Sequence, residues 1–404
     1  MATAVAQEYR TQVLTNNIKT LRVRFSGSEV LERPVLSLAG DSQLEISFDQ
    51  LSHTTHFYSY TLLHLNSHYT KSDLLVSDYL KGDISQQITD YDQSINTQQL
   101  YTHYRFLFPN DDMQPTVSGN YALKIYEDND EQKVIGYVCF SVAEQLVSIE
   151  GKVRANTDIE LNGRYQQLDI DITAHNINIT NAADIRLVVA QNGRQDNSVR
   201  NPKPTFIEGN RYRFINNKSL IFEGGNEYRR FDIASQYVLG QNVDKINFDR
   251  TFYHAFLFPD EITADSPYLT ELDADGQYVI NAERADDDDY EADYMWVHFL
   301  LPRKAPWFDG GVYIAGDITY NRLNDNSRMQ YDNEHAAYCK SLYLKQGAYS
   351  YIYLFKQKGY EAATSVRTEG SHWQTENEYQ IYVYYRPFGS RGDRLIGYKT
   401  IKSN

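Results

Sequence analysis

Leu344-Lys345-Gln346-Gly347-Ala348-Tyr349-Ser350-Tyr351-Ile352-Tyr353-Leu354-Phe355 decides the fold class. In an extended chain successive side chains point to opposite faces. Tyr349, Tyr351, Tyr353 and Phe355 therefore share one face, and Ile352 and Leu354 the other. The Gln346-Gly347 pair carries turn chemistry, so the stretch predicts a hairpin between Ser341–Leu344 and Tyr349–Phe355. The same signals recur along the chain. Leu44-Glu45-Ile46-Ser47-Phe48 and Leu168-Asp169-Ile170-Asp171-Ile172 alternate apolar and polar residues. Ile185 to Ala190 reads as a more deeply buried strand, and Ile381 to Tyr385 and Leu395 to Ile401 as the strands that finish the last sheet.

Composition agrees. The 404 residues include 34 Tyr and 18 Phe, types that favour pleated, half-buried surfaces. Short strands separated by Gly, Pro, Asn and Asp turns are the mark of sandwiches. The fold class expected is all-β, with tandem immunoglobulin-like or β-sandwich domains in series. The expected division is an N-terminal tail over 1–17, a first sandwich over 18–143 and a middle β domain over 144–301. A linker over 302–309 and a C-terminal sandwich over 310–404 complete it. The linker rests on Pro302, Pro306 and the cations Arg303 and Lys304.

A net charge of −15 argues against nucleic acid, whose phosphates would be repelled. No window reaches the roughly 18 consecutive apolar residues that a transmembrane helix needs. Cys139 and Cys339 lie too far apart in sequence to give a metal or redox spacing; buried free thiols are expected, with a long-range disulfide as the alternative. His64 and His68 would share a face only on a helix, and the flanking residues read as strand. The run Asp286 to Asp289 lacks the glycine turn and distal glutamate of a calcium loop, so a solvated acidic loop is expected. Arg391-Gly392-Asp393 matches an adhesion tripeptide by chance frequency alone. No nucleophile elbow, phosphate loop or dinucleotide fingerprint is present, and neither catalysis nor a cofactor is expected.

The stretch Phe222 to Asp232 (FEGGNEYRRFD) fits no simple alternation. Charges of both signs on both faces predict Arg–carboxylate pairs at a structural or interdomain seam, carried by Glu227, Arg229, Arg230 and Asp232. The long polar interval Ser67 to Asn96 reads as an open loop facing a partner, with Tyr69, Tyr79 and Tyr91 as its aromatic contacts. Asp287 and Asp288, with Trp307 and Phe308, complete the candidate partner-facing set. Exposed together, Trp307 and Phe308 would form a binding surface; buried, they would be hinge packing.

A family resemblance runs through these stretches. LEISFD (Leu44–Asp49), YSYTLLH (Tyr58–His64), DYDQSINT (Asp90–Thr97), YTHY (Tyr101–Tyr104) and SGNY (Ser118–Tyr121) lead. QNGR (Gln191–Arg194), GGNEYRRFD (Gly224–Asp232), ADYMWVHF (Ala292–Phe299), VYIAGD (Val312–Asp317), MQY (Met329–Tyr331) and LKQGAYSY (Leu344–Tyr351) follow. In this order the chain resembles the plug proteins of the bacterial type IX secretion system. The resemblance implies a periplasmic protein, its signal peptide removed, that associates with the outer membrane through a large translocon β-barrel. It would seal that barrel sterically when no cargo passes. The competing reading is a carbohydrate-binding module whose C-terminal tyrosines stack on sugars, or a structural, adhesin-like protein.

Overall fold

A computed structural model describes residues 7–28, 31–175 and 177–403 of the chain. Residues 1–6, part of the expected tail, lie outside the described residues. The described chain is built almost wholly of strands arranged as three sandwiches, so the all-β class stands.

In the N-terminal sandwich one sheet joins Gln12–Val13, Val35–Ser37, Tyr58–Leu65, Ser85–Ile88, Gly119–Glu127 and Val134–Ala143. The facing sheet joins Ile18–Phe25, Leu44–Gln50, Asp90–Gln93 and Thr102–Phe108. Leu44, Ile46 and Phe48 enter the core, where Phe48 stacks on Tyr104 at 5.2 Å and Tyr58 meets Tyr104 edge-on at 4.9 Å. Alternation puts Glu45, Ser47 and Asp49 on the outer face of that sheet. Residues 7–17 are not a free tail. Gln12 and Val13 pair with Tyr137 and Gly136, and the Tyr9 ring packs edge-on against Tyr137 at 5.2 Å. Nor is Ser67 to Asn96 an open loop. It carries the helical turn Val76–Tyr79 and the strands Leu80–Gly82, Ser85–Ile88 and Asp90–Gln93.

The other two sandwiches are nested rather than serial. The middle one joins Val147–Arg154, Tyr165–Ala174, Phe206–Glu208, Arg211–Phe214 and Ile221–Glu223 in one sheet. Its second sheet is Ile185–Gln191, Arg194–Arg200, Glu378–Tyr385 and Arg394–Lys402. The C-terminal strands thus return to the middle sandwich, with Leu187 opposite Val383 and Val189 opposite Ile381. Between Glu223 and Glu378 the chain builds an inserted sandwich. One of its sheets joins Arg229–Asp232, Tyr278–Ile280, Gly310–Ala315 and Gly347–Gln357. The other joins Val243–Phe248, Tyr253–Leu257, Tyr294–Pro302, Gln330–Asp332 and Ala337–Lys345. This differs from the serial division expected. Tyr294–Pro302 pairs along its length with Ala337–Lys345, so of the expected linker 302–309 Pro302 ends a strand and 303–309 are a loop inside one sandwich. Prolines and cations look the same at a strand end as in a linker, and only long-range pairing separates the two.

The expected hairpin is likewise absent. Ala337–Lys345 and Gly347–Gln357 lie in opposite sheets, and Gln346-Gly347 is the corner between them. The face reading holds nonetheless. Tyr349, Tyr351, Tyr353 and Phe355 are buried in the inserted core, while Ile352 and Leu354 pack with Tyr228, Ala315 and Ala363. A Cβ at Gly347 would sit 2.2 Å from the carbonyl oxygen of Val279, so the corner admits no side chain. Gly347→Ala is expected to cost about 1–3 kcal/mol through forced backbone displacement, read as a lower urea midpoint.

Candidate functional site

Asp49 belongs to the outward face of its sheet, yet it is fully buried because the inserted sandwich covers it. Lys345, also fully buried, donates from Nζ to Asp49 Oδ2 at 2.8 Å and to the Asp289 carbonyl at 2.5 Å. His103 Nδ1 lies 2.6 Å from Asp49 Oδ1, and the Tyr294 hydroxyl donates to Asp49 Oδ2 at 2.6 Å. The Lys345 ammonium also stands 4.2 Å over the Tyr101 ring. Burial works to raise the Asp49 carboxyl, but Lys345 and His103 override it and hold the group well below the usual carboxylate range. Around this pair, Arg22 bonds Asp289 at 2.5 Å and Tyr101 donates to the Ala292 carbonyl at 2.9 Å. The Asp293 carboxylate accepts the backbone N–H groups of Gln98 and Gln99. The seam between the N-terminal and inserted sandwiches is therefore ionic, buried and closely hydrogen-bonded.

The acidic run is part of this seam, not a solvated loop. Asp287 caps the helical turn Asp288–Glu291, Asp288 accepts from the Ala282 N–H at 2.8 Å, and Asp289 holds Arg22.

The N-terminal and middle sandwiches meet at Asp393. This carboxylate is fully buried, accepts from the Ser67 N–H at 2.8 Å and stands 3.4 Å from Arg186 and 3.5 Å from Arg386. Burial removes the tripeptide Arg391-Gly392-Asp393 from any adhesion role. Arg394 pairs with Glu144 at 2.6 Å, and the Tyr384 hydroxyl donates to Asn120 at 2.9 Å across the same seam. Arg33, from the N-terminal sandwich, reaches all three units. It lies 3.3 Å from Asp317 of the inserted sandwich and 3.7 Å from Glu378 of the middle one. A Cβ at Gly193 would stand 2.6 Å from its guanidinium carbon, so only glycine leaves it room. The three sandwiches border a partly open cavity of about 1240 Å³, walled by Arg10, Arg33, Tyr69, Tyr278, Tyr320 and Tyr382 among others.

Of the expected ion-pair stretch, Arg229 alone forms the pairs foreseen. It bonds Glu369 at 2.7 Å and Asp260 at 2.9 Å, and Tyr351 and Tyr353 each donate to Asp260 at 2.7 Å. Glu369 lies on the segment that returns the chain to the middle sandwich, so the pair ties the insertion to its exit. Glu227 instead accepts from the Tyr268 hydroxyl, and Asp232 caps the Ala234 N–H. Arg230 forms no ion pair among the described residues.

Near that junction stands a carboxyl with no hydrogen-bond partner for its Oδ1, Asp275. Burial, with Asp273 and Glu378 adding to it, pushes this group up to about 7. Unfolded, it titrates near 4. Between about pH 4 and 7 the folded chain therefore binds the extra proton, and this residue's contribution to stability falls as pH rises through that window. Asp275→Asn is expected to abolish that loss. The check is the difference in urea midpoint between wild type and variant, small at pH 4 and favouring the variant at pH 8.

The partner-facing set divides. Tyr79 is buried at 2 % exposure and donates to the Leu62 carbonyl, which overturns its expected role. A tyrosine in a polar interval looked exposed, but the helical turn folds it inward. Tyr69 lines the central cavity beneath Arg10. Tyr91 is exposed on the edge strand Asp90–Gln93. Trp307 is wedged between Tyr338 and Phe355 at 5.6 and 5.4 Å. Phe308 next to it is 81 % exposed, beside Tyr360 at 65 %. Tyr360, which sequence reasoning passed over, stands just past the Lys358-Gly359 turn, the one signal that could have placed it at a tip. Cys139 and Cys339 are free thiols, and burial pushes Cys139 up to about 12. No group of three or more His, Cys, Asp or Glu side chains suited to a metal occurs among the described residues. No helix of the described residues is long and apolar enough to cross a membrane.

Residues 18–144, which span the N-terminal sandwich from Ile18 onward, match the family described as type 9 secretion system plug protein, first domain. The chain belongs to the type 9 secretion system plug protein family. Over its whole length this plug-family protein is similar to a hypothetical protein from Parabacteroides merdae ATCC 43184, known from its crystal structure. The two share 40 % identity over 98 % of this chain and 100 % of that one, with a TM-score of 0.96. No curated protein matches the chain. Family and fold together give the plug-family chain a general role in type IX secretion, in association with its translocon in the cell envelope. The tyrosines Tyr349, Tyr351 and Tyr353, on which a sugar-stacking reading would rest, lie in the core of the plug-family protein.

Proposed function

We propose that the chain seals the periplasmic opening of the type IX translocon by shape, as a non-catalytic block seated on the mouth of the large outer-membrane barrel. The observation that carries this reading is the set of buried ionic seams. Asp49–Lys345 joins the N-terminal and inserted sandwiches, the buried Asp393 of the middle one accepts the Ser67 N–H of the N-terminal one, and Arg33 reaches the other two. A sealing body has to resist deformation, and buried charge pairs fix one relative placement of the units because every alternative strands a charge. Family membership supplies the partner class: a translocon whose aqueous opening leaks if left uncovered. The protein would then reside in the periplasm and reach the outer membrane through its partner.

The test is a pull-down from detergent-solubilised outer membrane with tagged chain. One very large barrel subunit is the expected recovery. Failure to recover it with a chain of native circular dichroism counts against the proposal.

A further inference from the structure

We infer that the Phe308–Tyr360 tip of the inserted sandwich docks on the headgroup region of a bilayer that contains anionic lipid. The tip is made by two turns held together. Lys358 donates its N–H to the Asp309 carbonyl at 2.8 Å and its Nζ to the Phe308 carbonyl at 3.0 Å. The exposed rings Phe308 and Tyr360 therefore stand on two turns that Lys358 ties together. Lys358 and Arg367 contact the backbone and carboxylate of the tip itself, and Arg303 and Lys304 lie within five residues of Phe308 along the chain. Arg303 lies 4.2 Å over the Trp307 ring, which anchors it at the base of the tip. Asp309, next to Phe308 in the chain, is neutralised by Arg367 at 2.9 Å. Glu361 follows Tyr360 in the chain and lines the central cavity, and Asp332 is engaged by His335.

Protruding rings bordered by lysine and arginine suit the bilayer interface, where rings enter the headgroup layer and cations meet lipid phosphates. A peptide partner would instead call for a groove, and this end is convex turn. A net charge of −15 opposes approach of the chain as a whole to anionic lipid, so a contact has to fall at a locally cationic end. Two rings and a few cations give a weak, salt-sensitive contact, one that orients a protein rather than anchoring it. The inference does not depend on the plug reading.

The experiment is co-sedimentation of the full chain with vesicles of phosphatidylethanolamine and phosphatidylglycerol, and separately with phosphatidylcholine vesicles. Binding to the anionic vesicles at low salt, lost at high salt and weak on phosphatidylcholine, is the expected result. Phe308→Ser with Tyr360→Ser removes it, while Leu239→Ser, at another exposed apolar loop, leaves it intact. Lys304→Glu and Lys358→Glu each lower the bound fraction about fivefold. All these side chains are exposed, and an unchanged thermal transition verifies folding. Absence of sedimentation with the anionic vesicles, or binding indifferent to the Phe308/Tyr360 pair, overturns the inference. So does capture of the tip by a polyglutamate peptide with vesicles ignored, which would make it a site for an acidic polypeptide.

Discussion

Lys345→Met lowers the stability of the chain by about 3–5 kcal/mol, because it leaves the Asp49 carboxylate buried without its cation. His103 and Tyr294 stay in place, but a histidine and a hydroxyl do not replace an ammonium at 2.8 Å. The loss belongs to the seam between the N-terminal and inserted sandwiches, so it appears as an earlier first transition in urea, with the sandwich cores unfolding later. The double variant Asp49→Asn with Lys345→Met removes both charges and is expected to recover most of the loss. Chemical denaturation of the three proteins side by side decides the matter. Equal midpoints for wild type and Lys345→Met would mean that the seam carries no stability.

Arg229→Met is expected to be as costly, about 3–5 kcal/mol, for a related reason. Glu369 is almost wholly buried, and Arg229 is the cation that bonds it, while Asp260 loses the same partner. Tyr351 and Tyr353 continue to donate to Asp260, so the larger penalty falls on Glu369. Arg229→Lys restores charge but not the forked geometry, and should recover only part of the stability. Proteolysis of the segment between the inserted and middle sandwiches offers a second readout. Cleavage near Glu369 should accelerate in Arg229→Met and remain slow in wild type.

Alternation made the strands legible, and alternation reports faces, not partners. Tyr349, Tyr351, Tyr353 and Phe355 were placed correctly on one buried face, yet the neighbouring strand was misassigned because a corner between sheets and a hairpin turn share the same residues. The nested order was hidden for the same reason: Ile381 pairs with Val189, and nothing local to either residue says so. Asp49 shows a different limit. In Leu44-Glu45-Ile46-Ser47-Phe48-Asp49 it reads as a solvent-facing residue, and its burial is created by a unit some three hundred residues away in sequence, through Lys345. Of the irregular charges in Phe222 to Asp232, Arg229 forms ion pairs, and its carboxylates, Asp260 and Glu369, lie outside that stretch. Tyr79 and Phe308 looked alike as aromatics in polar surroundings, and only the backbone path sends one inward and the other out.

The account's central claim is that this chain obstructs an aqueous opening. Its most direct measurement is the ionic conductance of the purified type IX translocon barrel in a planar bilayer, with the chain added to the periplasmic side. Conductance should fall in a saturable way, and less so with Lys345→Met, whose seam no longer fixes the sandwiches. Conductance unchanged by saturating wild-type protein would contradict the claim.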